Sequence, residues 1–223
     1  MDEAEVRSLA AQLGHPVGEE GLKVAEAMDR TNRNMIRTAI RALLPLEGKT
    51  ILEIGHGSGA HIDEMIQEHT PAAYTGLEVS QTMHDQARKL NAIRASQTNF
   101  LFYEGTKLPV SDASVDRVLT VNSIYFWKEP GKLLGEIARV LKPDGILSIG
   151  IGEKQFMQTL PVVQYGFTTY DRNELESLLE AAGLQFLEMQ SHQEEVEKNA
   201  AEFITRRFEV ATARKAKAAP APG

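Results

Sequence analysis

Three glycines at alternating positions form the segment of this chain best suited to hold a ligand. Gly55, Gly57 and Gly59 follow an apolar run that contains one acid, Glu53, and residues 60–66 behind them have helical spacing. Glycines let a loop approach a ligand closely and adopt positive φ, while the start of a helix offers free N–H groups to an anion. The pattern predicts a strand, a tight loop and a helix that together bind a nucleotide-bearing cofactor.

Two further acids follow later strands. Glu78 ends the second apolar run, where a carboxylate can accept hydrogen bonds from both hydroxyls of a ribose. Glu104 follows the third run and could accept a hydrogen bond from an adenine amino group. The spacing from Gly55 to Ala60 also satisfies the dinucleotide fingerprint, so the glycines and Glu78 suit NAD as well as other adenosyl cofactors.

Glu53 favours one class of cofactor over the other. It lies two residues before Gly55, at the end of the predicted strand, and would point a carboxylate into the cleft. A pyrophosphate would be repelled by that charge, whereas an ammonium group would be held by it.

The elements that must position these residues alternate between strand and helix from residue 45 onward. Strands are predicted at 50–54, 73–78, 99–103, 115–121 and 146–151, with a turn at 142–145 before the fifth. A loop around 156–169 and a helix at 171–182 follow, and two strands at 184–189 and 203–211 are expected to pair as an antiparallel hairpin across a solvated acidic turn. The order predicts an α/β fold with a doubly wound, seven-stranded, mostly parallel sheet, Rossmann-like, with an antiparallel C-terminal strand.

The chain is expected to contain one main domain with two appendages. Residues 1–44 have two helical patterns and are predicted to form an N-terminal helical cap, while 45–213 form the cofactor-binding domain. Residues 214–223 are low in complexity, and we expect a disordered tail there.

Composition narrows the classes of partner. The net charge of −7, from 24 Lys and Arg against 31 Asp and Glu, argues against a nucleic-acid surface or an anionic membrane as the main partner. Cysteine is absent and the six histidines have no paired zinc-type spacing, so no metal site is expected. The acidic start does not resemble a signal peptide and no run is long enough to span a membrane, so a cytoplasmic location is expected.

The order of the motifs resembles that of class I S-adenosylmethionine-dependent methyltransferases, especially the type 11 group that acts on small molecules. The segments that carry the resemblance are 51–59, 76–80 with Met83, Glu104-Gly105 before Leu108-Pro109, Asp116–Leu119 with Asn122, and 136–145. Residues 45–151 carry it firmly, and the closing helix and hairpin more loosely.

The resemblance implies roles for individual residues. Glu53 would bind the methionine ammonium while the backbone of 55–59, including His56, wraps the methionine portion. Glu78 would accept from the ribose hydroxyls. The remaining positions would surround the adenine and the sulfonium: Val79 and Met83 packing on the adenine, Glu104 and the Gly105 N–H bonding its edge, and Asn122 under the sulfonium.

The expected function is therefore transfer of a methyl group from S-adenosyl-L-methionine to a small-molecule acceptor, with S-adenosyl-L-homocysteine as product. Tyr125, Trp127 and Tyr165 are candidates for the acceptor pocket, against the alternative that they only cap the core. No catalytic residue is assigned, because alignment and desolvation can supply much of the rate. His56 is a possible base or, preferred, a solvent-facing loop residue.

Two other functions stay open at this point. An NAD(P)-dependent oxidoreductase would share the glycine loop and Glu78, although Glu53 would then face a pyrophosphate and no hydride-transfer dyad is evident. A non-catalytic cofactor-binding module would have the same cofactor contacts. The residues do not identify the acceptor, the atom that is methylated or the oligomeric state.

Overall fold

A computed structural model describes residues 1–199 and 202–216. In this part of the chain seven strands form one sheet, in the order β3-β2-β1-β4-β5-β7-β6. The strands are β1 (Thr50–Ile54), β2 (Ala73–Glu78), β3 (Thr98–Phe102), β4 (Val115–Val121), β5 (Leu141–Gly152), β6 (Leu184–Asn199) and β7 (Glu202–Lys215). β1 to β5 pair in parallel, and β7 is antiparallel to both β5 and β6. The predicted fold class is confirmed.

The strand order explains where a ligand can enter. The chain runs outward from β1 to β3 and then returns to place β4 on the other side of β1. Connections after β1 and β4 therefore diverge to opposite faces of the sheet, which leaves a crevice at the carboxyl ends of these two strands.

Helices cover both faces of the sheet. They are α1 (Glu3–Gly14), α2 (Gly18–Arg41), α3 (Ile62–His69), α4 (Gln81–Leu90), α5 (Pro130–Val140), α6 (Lys154–Gln158) and α7 (Arg172–Ala181). Ile51, Leu52 and Ile54 of β1 are almost completely buried because a central parallel strand is covered on both sides. Leu52 and Ile54 pack in the cluster that includes α5 and α7, and Ile51 packs in the cluster that includes α2 and α3.

The N-terminal helices are joined closely to the sheet. Met35, Ala39 and Ile40 in the C-terminal half of α2 are buried in the same cluster as Ile51 and Phe208. Residues 1–44 therefore contribute to the main core as well as covering the crevice.

The C-terminal half of the sheet differs from the predicted boundaries. β5 begins at Leu141 and includes the predicted turn at 142–145. Leu141 faces Val115 and Ile146 faces Arg117, so residues 142–145 form a bulge opposite a single residue of β4. Only residues 208–214 of β7 pair with β5, so the distal half of the β6–β7 hairpin extends beyond the sheet edge. The predicted acidic turn is strand. Residues 214 and 215 of the predicted tail belong to β7, and Ala216 donates to the Gly183 carbonyl at 3.0 Å. Residues 217–223 lie outside the described residues.

The connection after β5 also contains structure that the sequence pattern did not indicate. Helix α6 and a 3₁₀ turn at Pro161–Gln164 lie within or beside the loop predicted at 156–169.

Candidate active site

A cavity of about 780 Å³ lies over the carboxyl ends of β1, β2 and β4. It brings together ten of the predicted cofactor residues: Glu53, Gly55, His56, Gly57, Glu78, Val79, Met83, Glu104, Gly105 and Asn122. The predicted pocket residues Tyr125 and Trp127 also line it. The carboxylates of three successive strand ends therefore share one cleft.

Two predicted residues lie outside this lining. Gly59 faces Ile62, Ala87 and Asn91, where it allows close packing of the loop on α4. Tyr165 is covered by the guanidinium of Arg7, 5.0 Å from its ring centre, and so joins α1 to the connection after β5.

Glu53 is held in a buried polar network. Its side chain is 2% exposed, and its Oε2 accepts hydrogen bonds from the Tyr74 hydroxyl at 2.7 Å and from His61 Nε2 at 2.9 Å. Burial raises the pKa of Glu53, but the charge of His61 and these hydrogen bonds outweigh it and bring the pKa below its usual value. Burial lowers the pKa of His61, and the pairing with Glu53 outweighs that too, so this pKa is raised. The pair is therefore an ion pair at the end of β1.

Glu78 is positioned by backbone donors. Its Oε1 accepts from the N–H groups of Val79 at 2.8 Å and Ser80 at 2.9 Å, and its Oε2 accepts from Gly57 at 3.0 Å. Burial raises its pKa, and the three hydrogen bonds only partly oppose this. A carboxylate has about four acceptor positions, so these bonds fix its orientation and leave room for a further donor.

His56 does not face solvent, and the preferred prediction for its side chain was wrong. The ring is 4% exposed and lies edge-on to Phe100, beside Gly76, where a Cβ atom would come within 2.6 Å of the ring. Its Nδ1 donates to the Gly57 carbonyl at 2.8 Å, and burial lowers its pKa to about 4. Among the described residues no partner contacts its Nε2. The neutral ring supports the glycine loop from behind.

The adenine side of the predicted site is more open. Met83 on α4 is buried and Val79 after β2 is partly buried, and both line the cavity. Glu104 is exposed at the cavity rim. Gly105, with φ of +80°, lies close to Val79, and a Cβ there would be 3.5 Å from the valine side chain.

Asn122 ends β4 in a left-handed conformation with φ of +55°. Its Oδ1 accepts from the Tyr125 hydroxyl at 3.1 Å, and that hydroxyl in turn accepts from the Gly152 N–H at 2.5 Å. Burial raises the pKa of Tyr125 above its ordinary value, so the phenol stays protonated. Tyr125 therefore orients Asn122 as well as lining the cavity.

Another wall of the cavity is apolar and comes from five separate segments. Phe126 and Phe167 pack edge to face with ring centres 4.5 Å apart, and Gly14 at the end of α1 lies directly against Phe126. The other apolar side chains of this wall are Leu13, Val24, Met28, Ile36, Trp127, Phe156, Met157, Leu160, Val162, Val196 and Ile204. We call this surface, with Phe126 and Phe167, the apolar wall.

The distal hairpin is tied to α2 by a polar cluster. Arg206 on β7 pairs with Glu194 on β6, and also donates to Asn32 Oδ1 at 2.7 Å and to the Thr31 carbonyl at 2.6 Å. Glu194 accepts from Asn34 as well, at 2.9 Å. This cluster holds the hairpin over the cavity, where Arg206 is part of the lining.

Sequence reasoning missed His61, Asp29 and Arg206. Asp29 on α2 lines the cavity and accepts a hydrogen bond from the Ser58 hydroxyl at 2.6 Å, which joins α2 to the glycine loop. A signal for His61 existed, because an acid buried at a strand end needs a nearby donor. Nothing local marks Asp29 or Arg206, whose partners are distant in the sequence.

The described residues contain no group of three or more His, Asp or Glu side chains arranged to hold a metal ion. No helix among them is long and apolar enough to cross a membrane.

The sequence is similar to known methyltransferases. Residues 52–149 match the family model described as "Methyltransferase domain". The fatty-acid O-methyltransferase of Mycolicibacterium smegmatis is 32% identical over 127 residues, which are 56% of this chain and 45% of the relative. The phthiotriol/phenolphthiotriol dimycocerosates methyltransferase of Mycobacterium tuberculosis is 33% identical over 124 residues, 54% of this chain and 44% of the relative. The chain thus spans about half the length of these relatives.

Solved structures with the same fold include methyltransferases. A chain of the complex between the Haloferax volcanii Trm112 methyltransferase activator and a methyltransferase has a TM-score of 0.76 and 21% identity, covering 97% of this chain and 98% of that one. An S-adenosylmethionine-dependent methyltransferase of Aquifex aeolicus has a TM-score of 0.65 and 22% identity, covering 85% and 95%. At these identities the likeness shows the fold.

Proposed function

We propose that this chain, whose residues 52–149 match a methyltransferase-domain family model, is a class I S-adenosylmethionine-dependent methyltransferase that transfers a methyl group from S-adenosylmethionine to a small-molecule acceptor. One observation carries the proposal. Glu53, Glu78 and Glu104, from three successive strand ends, line the same cavity as the glycine loop. That arrangement suits a ligand with an ammonium group, a ribose and an adenine in succession.

The residues of the cavity would hold the cofactor as follows. Glu53 would attract the ammonium, and Glu78, already oriented by three backbone donors, would accept from a ribose hydroxyl. Glu104 would accept from the adenine amino group, with Val79 and Met83 against the ring. The remaining acceptor position of Glu78 and the exposed rim at Glu104 fit the ribose and the adenine of S-adenosylmethionine.

Methyl transfer would then require little more than alignment of the acceptor with the methyl group. When bound, S-adenosylmethionine supplies an electrophilic methyl group and a neutral thioether as leaving group. Asn122, oriented by Tyr125, would hold the reacting centre, and the apolar wall would exclude water from it. His56 would be a weak base toward the acceptor, because burial lowers the pKa of its ring to about 4.

The acceptor would be mainly apolar. The apolar wall presents aromatic and aliphatic side chains from α1, α2, the segment after β4, the connection after β5 and the hairpin. Arg206, which also lines the cavity, is already bonded to Glu194, Asn32 and Thr31. Two relatives named for lipid acceptors, a fatty acid and a phthiotriol dimycocerosate, agree with this preference.

The test has two stages. Calorimetric titration with S-adenosylhomocysteine and, in parallel, NADH should give binding for the first and none for the second. Radiolabelled methyl transfer to a panel of fatty acids, long-chain phenols and short polar amines should then favour the apolar acceptors. Binding of NADH alone would support the oxidoreductase alternative, and binding of S-adenosylhomocysteine with no transfer to any acceptor would support a non-catalytic module.

A further inference from the structure

His61 is a basic group that lies beside Glu53, where the ammonium group of the proposed cofactor would also bind. Its Nε2 donates to Glu53 Oε2 at 2.9 Å, and both side chains line the cavity. Tyr74 uses the same carboxylate oxygen at 2.7 Å. Among the described residues no protein donor reaches the other oxygen of Glu53. The carboxylate thus has one protein cation, one phenol and one free oxygen.

The groups around His61 are mostly acidic. Glu53 faces it from β1, Asp29 from α2 and Glu64 from its own helix, and each of them raises the pKa of His61. Glu64 is itself paired with Arg37, which reduces its effect at His61.

The neutral side chains near His61 do not offset the acidic groups around it. Tyr74 on β2 is a protonated phenol whose pKa is raised well above its usual value by burial and by Glu53. His56, with a pKa of about 4, is uncharged at neutral pH. Asp29 and Glu53 therefore face His61, while Arg30, whose charge also acts on Asp29, is paired with Glu26. This end of the pocket attracts a further cation more readily than an anion.

We propose that His61 is a positioning residue that neutralises Glu53 in the free protein and gives up its proton when the cofactor ammonium arrives. This inference rests on the proposed function. A carboxylate at 2% exposure cannot stay ionised at low cost without a cation, and His61 supplies one before the ligand binds. Two cations on the same carboxylate would repel each other, so the arriving ammonium favours the neutral imidazole.

The proposal predicts that the affinity for the cofactor rises with pH. The free protein binds the proton on His61 more tightly than the complex does, so the cofactor competes with that proton. Affinity should rise with pH up to the raised pKa of His61, which lies above 6.5, and then level off. The ammonium of the ligand keeps its own proton below about pH 7.5.

Calorimetry on the wild-type protein tests this without any assay of activity. S-adenosylhomocysteine is titrated between pH 5.5 and 7.5 in two buffers of different ionisation enthalpy, and 5′-methylthioadenosine, which has no amino acid, serves as the matched ligand. At the acid end we expect S-adenosylhomocysteine to release close to one proton more than 5′-methylthioadenosine, and its affinity to rise by up to tenfold per pH unit. Subtracting the second ligand removes any proton exchanged by Glu78 near the ribose.

One variant and one matched control sharpen the result. His61→Gln keeps a donor for Glu53 without a titratable charge, and should remove the extra proton release. His69→Gln changes a histidine at the far end of the same helix, outside the cavity lining, and should behave as wild type. If the folded His61→Gln protein kept the extra proton release, another group would be responsible and the proposal would be wrong.

Each outcome separates this inference from the proposed function. Equal proton exchange for the two ligands, or an affinity for S-adenosylhomocysteine that falls as pH rises, would overturn the role of His61 while leaving the cofactor assignment intact. Failure of both ligands to bind the wild-type protein would overturn the cofactor assignment, and the role of His61 with it.

Discussion

The two walls of the cavity are built in opposite ways. On the cofactor side, Glu78 at a strand end is fixed by the backbone donors of Val79 and Ser80, which are close in sequence. On the apolar wall, side chains come from segments up to about 190 residues apart, and the hairpin is tied to α2 by the Arg206–Glu194 cluster. Hydrogen bonds select the ligand of the first wall, and volume and desolvation select that of the second. Changes to the first wall should therefore affect cofactor binding, and changes to the second should affect the acceptor.

The largest effect should come from the backbone of the cofactor wall. In Gly55→Ala the new Cβ would lie 2.8 Å from the Ser123 Cβ, and the residue has φ of +73°. Backbone strain of about 1–2 kcal/mol and overpacking of about 1–3 kcal/mol should both lower the free energy of unfolding. Chemical denaturation measures the loss, and calorimetry should show weaker binding of S-adenosylhomocysteine.

Gly57→Ala is the matched control for that variant. Gly57 also has positive φ, +58°, but no atom lies within 4 Å of a Cβ built there. It should lose only the backbone term of about 1–2 kcal/mol. Equal losses in the two variants would mean that contact with Ser123 does not limit the loop.

Glu78→Gln should have the next largest effect. The amide has one acceptor oxygen, and its NH₂ group would face a backbone N–H of Gly57 or of Val79 and Ser80. The variant would also lose the hydrogen bond from a ribose hydroxyl to a charged acceptor, worth roughly 1.5–3 kcal/mol, so S-adenosylhomocysteine should bind about ten to a hundred times more weakly. Calorimetry checks this, and unchanged affinity would refute the ribose assignment.

The contrast between the walls also explains what the sequence could predict. Glu53, Gly55 and Glu78 could be assigned because a strand end, a tight turn and an acid are local features with fixed spacing. The same local reasoning failed for His56, since only the path of β2 beside the glycine loop places Gly76 under its ring.

The hairpin could not be assigned in this way. The high charge of the segment 194–197 predicts a solvated turn, whereas Glu194 pairs with Arg206 across the ladder. Its strand conformation depends on pairing with β7 and on the contact of Arg206 with Thr31 and Asn32. Such tertiary contacts override the local preference of a charged segment.

Arg206→Met should have a moderate effect that is confined to the second wall. Glu194 would keep Asn34 as a donor but lose its cation, so the distal hairpin should separate from α2 more often. Together with Glu194→Gln and the double variant, we expect a coupling energy of about 1–2 kcal/mol, as for residues in one hydrogen-bonded network. Amide hydrogen exchange at 193–196 and 203–207 should become faster.

Measurements with the acceptor and with S-adenosylhomocysteine show which wall the Arg206→Met substitution affects. The KM for an apolar acceptor should rise in Arg206→Met, while the Kd of S-adenosylhomocysteine should stay within about twofold of wild type because the cofactor wall is untouched. A large loss of cofactor affinity would show that the two walls are not independent.

Glu104→Gln should have the smallest effect, although it changes a carboxylate in the same wall as Glu78. Glu104 is exposed at the rim, so water can replace any hydrogen bond that it loses, and the glutamine carbonyl can still accept from an adenine amino group. The affinity for S-adenosylhomocysteine should fall by less than about threefold, equivalent to roughly 0.7 kcal/mol. Calorimetry beside Glu78→Gln gives the comparison directly. If the two variants lost equal affinity, burial would not be what distinguishes the carboxylates, and the rim at Glu104 would have to close over the adenine when the ligand binds.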